Sequence, residues 1–311
     1  MPDALIDRLD RTIDALLNRE DATAALRDPD LAPLARLAAD LRHCPDVEFK
    51  ARLRAQLERT ARMSSTVATP AREGFTNVTP YVIVPDGRLV EFLARVFGAS
   101  ETFSARGSAG GMHREIRLGS SMLMIGELAG ATPKPVEFHV YVEDVDATYR
   151  EALETGATSL GEPEDRPYGE RSGFVRDPLG NHWYIARALS GPPVPPRVLS
   201  VTPFLHPPDT RSYIDFLQRA FGAVEEFRDE RDGRVMYALL RIGTAALELG
   251  EPGLPAMPGY FHLQVGDVDA AHQSALAAGA KSIAMPGPQP QGGRGATIED
   301  PIGNHWFIVG T

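Results

Sequence analysis

The stretch DPLGNHWYIA, which begins at Asp177, returns as DPIGNHWFIV from Asp300, and it does not return alone. VTPYVIVPDG at Val78 comes back as VTPFLHPPDT at Val201, and RLGSSMLMIGE from Arg117 as RIGTAALELGE from Arg241. FHVYVEDVDATYREALETGA from Phe138 matches FHLQVGDVDAAHQSALAAGA from Phe261, and the offset stays at 123 or 124 residues throughout. Segments repeated in order over this length mean two copies of one domain, so the local patterns have to be read as repeats. The copies are expected at 75–189 and 198–311, joined by a stiff proline-rich connector at 190–197.

Each copy divides again. Val78 to Val84 alternates as a strand, Leu89 to Phe97 has helical spacing with a stop at Gly98, and three strand-like segments run on to Glu127. The pattern then restarts: a strand from Phe138 to Val142, a helix from Asp146 to Thr155 stopped by Gly156, and further strands ending in HWYIA. The expected class is α+β, built from βαβββ modules, four in all. One helix per module predicts a sheet covered by helices on one face only, with a concave face left to enclose something.

Residues 1–63 carry apolar stripes at helical spacing: Leu5, Leu9, Ile13 and Leu16, then Leu34, Leu37 and Leu41, then Phe49, Leu53 and Leu57. They predict a segment of three short helices, with a linker over 64–74. A chain of 311 residues with 43% apolar composition can bury a core in each copy. No apolar run is long enough to span a bilayer, and the charged N-terminal residues do not suit a signal peptide, so a cytoplasmic location without membrane attachment is expected. A net charge of −10 with scattered basic residues argues against a nucleic-acid partner and for a small molecule. The single cysteine, Cys44, can make neither an internal disulfide nor a multi-thiol metal site.

The segments VTPY, FGA, VEDVDATY and RPYGERSGFVRDPLGNHW resemble the vicinal oxygen chelate superfamily, which includes glyoxalase I, extradiol dioxygenases and bleomycin-binding proteins, and within it the PhnB-like branch. The resemblance implies two glyoxalase-like domains and a divalent metal held by four side chains, one from the first and one from the last strand of each of two modules. On the repeat landmarks those positions are Val78, Met124, Glu137 and Tyr184 in the first copy and Val201, Glu248, Tyr260 and Phe307 in the second. One carboxylate among apolar neighbours retains no dication against water, so no metal or other cofactor is expected. If modules pair across the copies, Glu137 and Glu248 come together, and a hard ion gains two ligands.

Strand alternation places His139 and Tyr141 on the face of Glu137, and His182 on that of Tyr184. The second copy offers Tyr260, His262, Gln264, His305 and Phe307 in the same places. Adjacent first and last strands are expected to pair His139 with His182, and His262 with His305. These four are the candidate acid–base residues, and the alternative is that each satisfies a neighbour in a partly polar cup. Tyr81, Phe204 and His113 complete the expected ligand-binding set, with Arg171 and Arg294 in glycine-bearing loops where they could meet a ligand carboxylate or phosphate. Glu115, His206 and His272 are expected at the surface. Trp183 and Trp306 point the other way, into the core. Three functions stay open: metal-independent binding of an aromatic or amphipathic molecule, as in natural-product resistance or biosynthesis; a lyase or isomerase using the histidines, with or without a divalent metal; and a regulatory module whose helical N-terminus contacts a protein while the duplicated domains sense a ligand. An intrachain pseudo-dimer is expected, with a homodimer possible.

Overall fold

A computed structural model describes residues 72–107, 110–190, 200–250, 257–290 and 292–310. The helical stripes expected over 1–63, the connector between the copies and Cys44 lie outside the described residues. Four βαβββ modules follow one another. The first comprises β1 (Val78–Val84), α1 (Arg88–Phe97), β2 (Ser100–Arg106), β3 (Met112–Leu118) and β4 (Ser121–Glu127). The second comprises β5 (Glu137–Tyr141), α2 (Val145–Glu154), β6 (Thr158–Asp165), β7 (Glu170–Arg176) and β8 (His182–Ala188). In the second copy come β9 (Ser200–Leu205), α3 (Thr210–Phe221), β10 (Val224–Arg231), β11 (Arg234–Ile242) and β12 (Ala245–Gly250). Last are β13 (Tyr260–Val265), α4 (Val268–Ala278), β14 (Lys281–Pro288), β15 (Arg294–Glu299) and β16 (His305–Gly310).

The helices start and stop where their sequence dictates. Asp144, Asp209 and Asp267 accept backbone N–H groups three residues ahead and so cap α2, α3 and α4. Gly98 and Gly222 end α1 and α3 in the left-handed region, with φ of 62° and 66°.

Two eight-stranded sheets result, and each takes one module from each copy. Sheet I runs β14-β15-β16-β13-β1-β4-β3-β2, and sheet II runs β10-β11-β12-β9-β5-β8-β7-β6. Their centres are antiparallel seams between the copies, β1 with β13 and β5 with β9. The hydrophobic cores divide the other way. One gathers α1, α2, Phe138 and Trp183 from the first copy, and the other gathers α3, α4, Phe261 and Trp306 from the second. Each core therefore belongs to one copy and each concave face to both. Seam residues lean across: Val78 lies in the second copy's core, and Val201 packs against the first copy's. Asn77 Oδ1 accepts from Thr244 N at 2.9 Å, and Ser121 Oγ accepts from Val201 N at 2.9 Å.

The repeated DPxGNHW explains itself at the turn before β8 and β16. Asp177 Oδ1 accepts from the backbone N–H groups of Leu179 and Asn181, and its Oδ2 accepts from Asn181 Nδ2 and, at 3.0 Å, from Trp183 Nε1. Asp300 repeats all four bonds, with Trp306 Nε1 at 2.9 Å, and adds Tyr213 Oη at 2.6 Å. Asn181 and Asn304 turn their side-chain oxygens to Val136 N and Gly259 N and tie the last strand of each module to its first. Both indoles are fully buried against the helices, as expected, so the residues either side of each tryptophan face the cup.

Removing this carboxylate strands several buried donors at once. Asp177→Ala is expected to lower unfolding free energy by about 3 kcal/mol or more, and Asp300→Ala by at least as much, since it also frees Tyr213. Chemical denaturation monitored at the indole is the measurement.

Candidate functional site

Cup II, the concave face of sheet II, gathers three carboxylates and three imidazoles. Glu137, 2% exposed, accepts from His206 Nε2 at 2.5 Å and from His182 Nδ1 at 3.1 Å. Glu248, 4% exposed, accepts from His139 Nδ1 at 2.8 Å. Glu170 accepts from Tyr141 Oη, and the second nitrogen of His139 lies 3.7 Å from it. Rings wall the cluster. Tyr184 stacks on Phe174 at 3.9 Å, Phe204 lies 5.5 Å from Tyr184, and Tyr237 lies 6.2 Å from Phe204. Phe174 and Tyr184 also form one side of an open cavity of about 560 Å³ bounded by Leu160, Glu164, Arg166 and Tyr168.

Electrostatics follow from this packing. Burial works against a charge on His139, but Glu248 on its Nδ1, with Glu170 and Glu137 nearby, outweighs burial and holds its pKa above the ordinary 6.5. Burial would likewise raise Glu137, yet the bonds from His182 and His206 hold its carboxyl below the usual range. Burial, reinforced by neighbouring carboxylates, raises the phenols of Tyr141, Tyr184 and Tyr237 and keeps them protonated.

Cup I, on sheet I, has the same geometry and the opposite electrostatics. Tyr81 stacks on His113 at 5.7 Å, Phe307 meets Tyr81 edge-on at 5.9 Å, and Tyr260 stacks on Phe307 at 5.9 Å. His262 occupies the place of His139, but burial, with His113 adding to it, pushes its pKa down to about 4. The cause lies one strand away. In cup II the rung Leu239↔Glu248 puts the acid on β12, two strands from His139. In cup I the equivalent rung, Glu115↔Met124, puts it on β3 instead, about 4.8 Å further out at ordinary strand spacing. There Glu115 meets Arg72, and His262 is left without a close carboxylate.

Several expectations need correction. The pairs His139–His182 and His262–His305 do not form, because the parallel register sets Glu137 opposite His182, His139 opposite Tyr184, Tyr260 opposite His305 and His262 opposite Phe307. His305 instead lies edge-on to Tyr260 and 3.6 Å from Glu299. Arg171 and Arg294 share the helix-side parity of buried Val175 and Ile298. They are tied to Asp146 and Asp269 at the starts of α2 and α4, away from the cups. Gln264 sits at the far end of β13, where its backbone is bonded to Asn77. His206 is not a surface residue: it follows Phe204 in parity just past β9 and reaches Glu137. His272 is buried on α4 and bonded to Ser282 at 2.8 Å. Glu115 is 2% exposed. Glu170, Phe174 and Tyr237 join the cup unanticipated, although alternation along β7 and β11 marks their face.

Val78 and Val201 face the core, so the first-strand positions in the cups belong to Thr79 and Thr202. Thr202 and Tyr184 both lie opposite His139, which makes His139 rather than Glu137 the central residue of β5. The four places for a divalent ion are therefore Thr202, Glu248, His139 and Tyr184 in cup II, and Thr79, Met124, His262 and Phe307 in cup I. Cup I supplies one imidazole. Cup II supplies an imidazole and a carboxylate already bonded to each other, and pairing the modules across the copies brings Glu137 to Glu248's sheet only to be held by two other rings. Among the described residues no three His, Cys, Asp or Glu side chains converge to hold an ion. This donor set does not fit a resident divalent metal.

The sequence profile of the Glyoxalase/Bleomycin resistance protein/Dioxygenase superfamily matches residues 83–185 and 203–308, and the chain belongs to that superfamily. An uncharacterised protein of Mycobacterium tuberculosis is 32% identical over 126 residues, covering 36% of this chain and 74% of its own length. The Mycobacterium bovis protein named "Putative glyoxylase CFP32" is 25% identical over 251 residues, covering 76% and 95%. Glyoxalase I of Zea mays superposes with a TM-score of 0.61 at 18% identity, over 75% of this chain and 92% of that one. At that identity the likeness concerns the fold. Among the described residues no helix is long and apolar enough to cross a membrane.

The two central histidines should titrate far apart. In NMR titrations His139 is expected to stay protonated above pH 6.5 and His262 to stay neutral down to about pH 4. Because the folded pKa of His139 is raised, its contribution to stability is complete below about pH 6.5 and disappears as pH rises through the folded value. Glu248→Gln is accordingly expected to cost about 1–3 kcal/mol near pH 6 and much less at alkaline pH. A penalty independent of pH contradicts the assignment.

Proposed function

We propose that the protein binds a small planar or amphipathic organic molecule in cup II, without a metal, through ring stacking and hydrogen bonds. One observation carries the reading: each cup II carboxylate already accepts a hydrogen bond from an imidazole or a phenol, so acceptor positions that would otherwise ligate a cation are taken up within the protein. What remains for a guest is the aromatic wall of Tyr184, Phe174, Phe204 and Tyr237 and a polar group at its centre. That group is His139, whose second nitrogen lies too far from Glu170 for a good bond and is free to donate to a ligand carbonyl or anionic oxygen. Tyr184 and Phe174, at 3.9 Å, form a flat platform beside the open cavity. The reading extends to natural-product resistance or biosynthesis as the setting, to the cytoplasm as location and to a place in the PhnB-like branch of the superfamily.

The second reading is a lyase or isomerase. It is favoured by the raised pKa of buried His139, which shifts it toward the protonated, acid form next to a carboxylate able to keep the proton close. His182 and His206 would then hold Glu137, two residues before His139 on the same strand.

Mass spectrometry of copurifying small molecules, with elemental analysis of the same sample, gives the first test. Binding of the identified compound is expected to survive a chelator and to weaken roughly 10- to 100-fold in His139→Gln, the range of a charge-assisted hydrogen bond. A stoichiometric metal whose removal abolishes binding defeats the proposal. Turnover of the compound, lost in His139→Gln while Tyr184→Phe retains it, moves the assignment to the enzyme reading.

A further inference from the structure

Cup I holds an unusual arrangement for an aromatic cavity: a carboxylate, Glu115, buried to 2% exposure on the cup face of β3 between Phe103 on β2 and Met124 on β4. A buried carboxylate requires a cation or a proton. Its cation comes from outside the duplicated fold. Arg72, ahead of β1 and with its side chain 55% exposed, reaches in and makes two parallel bonds, Nη1 to Oε1 at 2.5 Å and Nη2 to Oε2. The guanidinium also lies 4.5 Å from the centre of the Phe75 ring. A second cation of the chain, Lys134, sits 5.0 Å over Tyr260 elsewhere in the same cup. His113 Nε2 is 3.5 Å from Glu115 Oε1, and its ring faces Tyr81. Cup II has neither feature: Leu239 replaces Glu115, and the acids there are held by rings of the cup itself.

A half-exposed arginine clasping a buried acid is what a bound guest looks like when the chain supplies the guest. Planar guanidinium, bidentate acid and adjacent aromatic faces are the parts of an organic-cation site. We infer that cup I is a second binding site, selective for planar organic cations of the amidinium or guanidinium class, with Glu115 as the anionic anchor and Arg72 as an intrachain occupant that a ligand must displace. The chain then carries two unlike sites: cup I takes a cation, and cup II takes a neutral or anionic guest on His139. This goes beyond the function proposed for cup II and stands or falls separately from it.

Phenylguanidine, with neutral phenylurea as its near-isostere, is the probe, titrated into the full chain by calorimetry. Wild type is expected to bind phenylguanidine weakly, and Arg72→Ala at least tenfold more tightly. Arg72→Ala should leave the phenylurea response as it is in wild type, since cup II is untouched, and Arg72→Ala/Glu115→Gln should lose the gain in phenylguanidine affinity. Glu248→Gln, in cup II, should leave it unchanged. If Arg72→Ala does not fold alone, refolding yield is the readout, expected to be restored by phenylguanidine and not by phenylurea. The inference is overturned if Arg72→Ala binds phenylguanidine no better than wild type, if phenylurea gains as much from Arg72→Ala as phenylguanidine does, if adding Glu115→Gln leaves the gain intact, or if neither compound restores folding.

Discussion

Four buried hydrogen bonds from one aspartate to a turn and an indole, made once at Asp177 and again at Asp300, fix the parity of the strands that follow. With Trp183 and Trp306 held against the helices, His182 and Tyr184, and likewise His305 and Phe307, have no choice but the concave face. A one-residue slip would drive a tryptophan into the cup and a histidine into the core, so the clamp protects the chemistry as much as the fold. Because Asn181 and Asn304 also reach back to the start of their modules, the same turn sets the register of β8 on β5 and of β16 on β13.

On this common frame the two cups diverge through the movement of one acid across one rung. Glu248 stands where it can bond His139; Glu115 stands on the neighbouring strand, out of reach of His262. Two imidazoles in equivalent positions thus carry opposite charge preferences, and burial is common to both. The deciding term is the presence of a carboxylate at hydrogen-bond distance. Duplication supplies two like frames, and a change this small gives them opposite electrostatics.

Much of this was legible in the sequence. The repeat, the four modules, the end of α1 at Gly98 and the core role of both tryptophans follow from periodicity and glycine placement. The superfamily followed from motif order. Which module pairs with which did not. The edge patterns of β1, β5, β9 and β13 are nearly the same in the two copies, so alternation cannot tell β1–β5 pairing from β1–β13. Arg171 and Arg294 were open to a parity argument, being an even number of residues from buried Val175 and Ile298, but their glycine neighbours suggested loops. His206 hid behind two prolines that end β9, and Glu115 was unreadable as a buried residue because its partner, Arg72, lies 43 positions earlier in a linker.

The crossing of cores and sheets has a further consequence. Each hydrophobic core is built from one copy apart from a seam valine of the other, whereas each concave face is half one copy and half the other. Cut between β8 and β9, the chain would give two pieces, each owning nearly all of one interior and half of every cup, with the strand edges of both seams bared. Guest occupancy and reassembly of those pieces would then share one equilibrium, so that anything filling a cup also tightens the grip of one copy on the other.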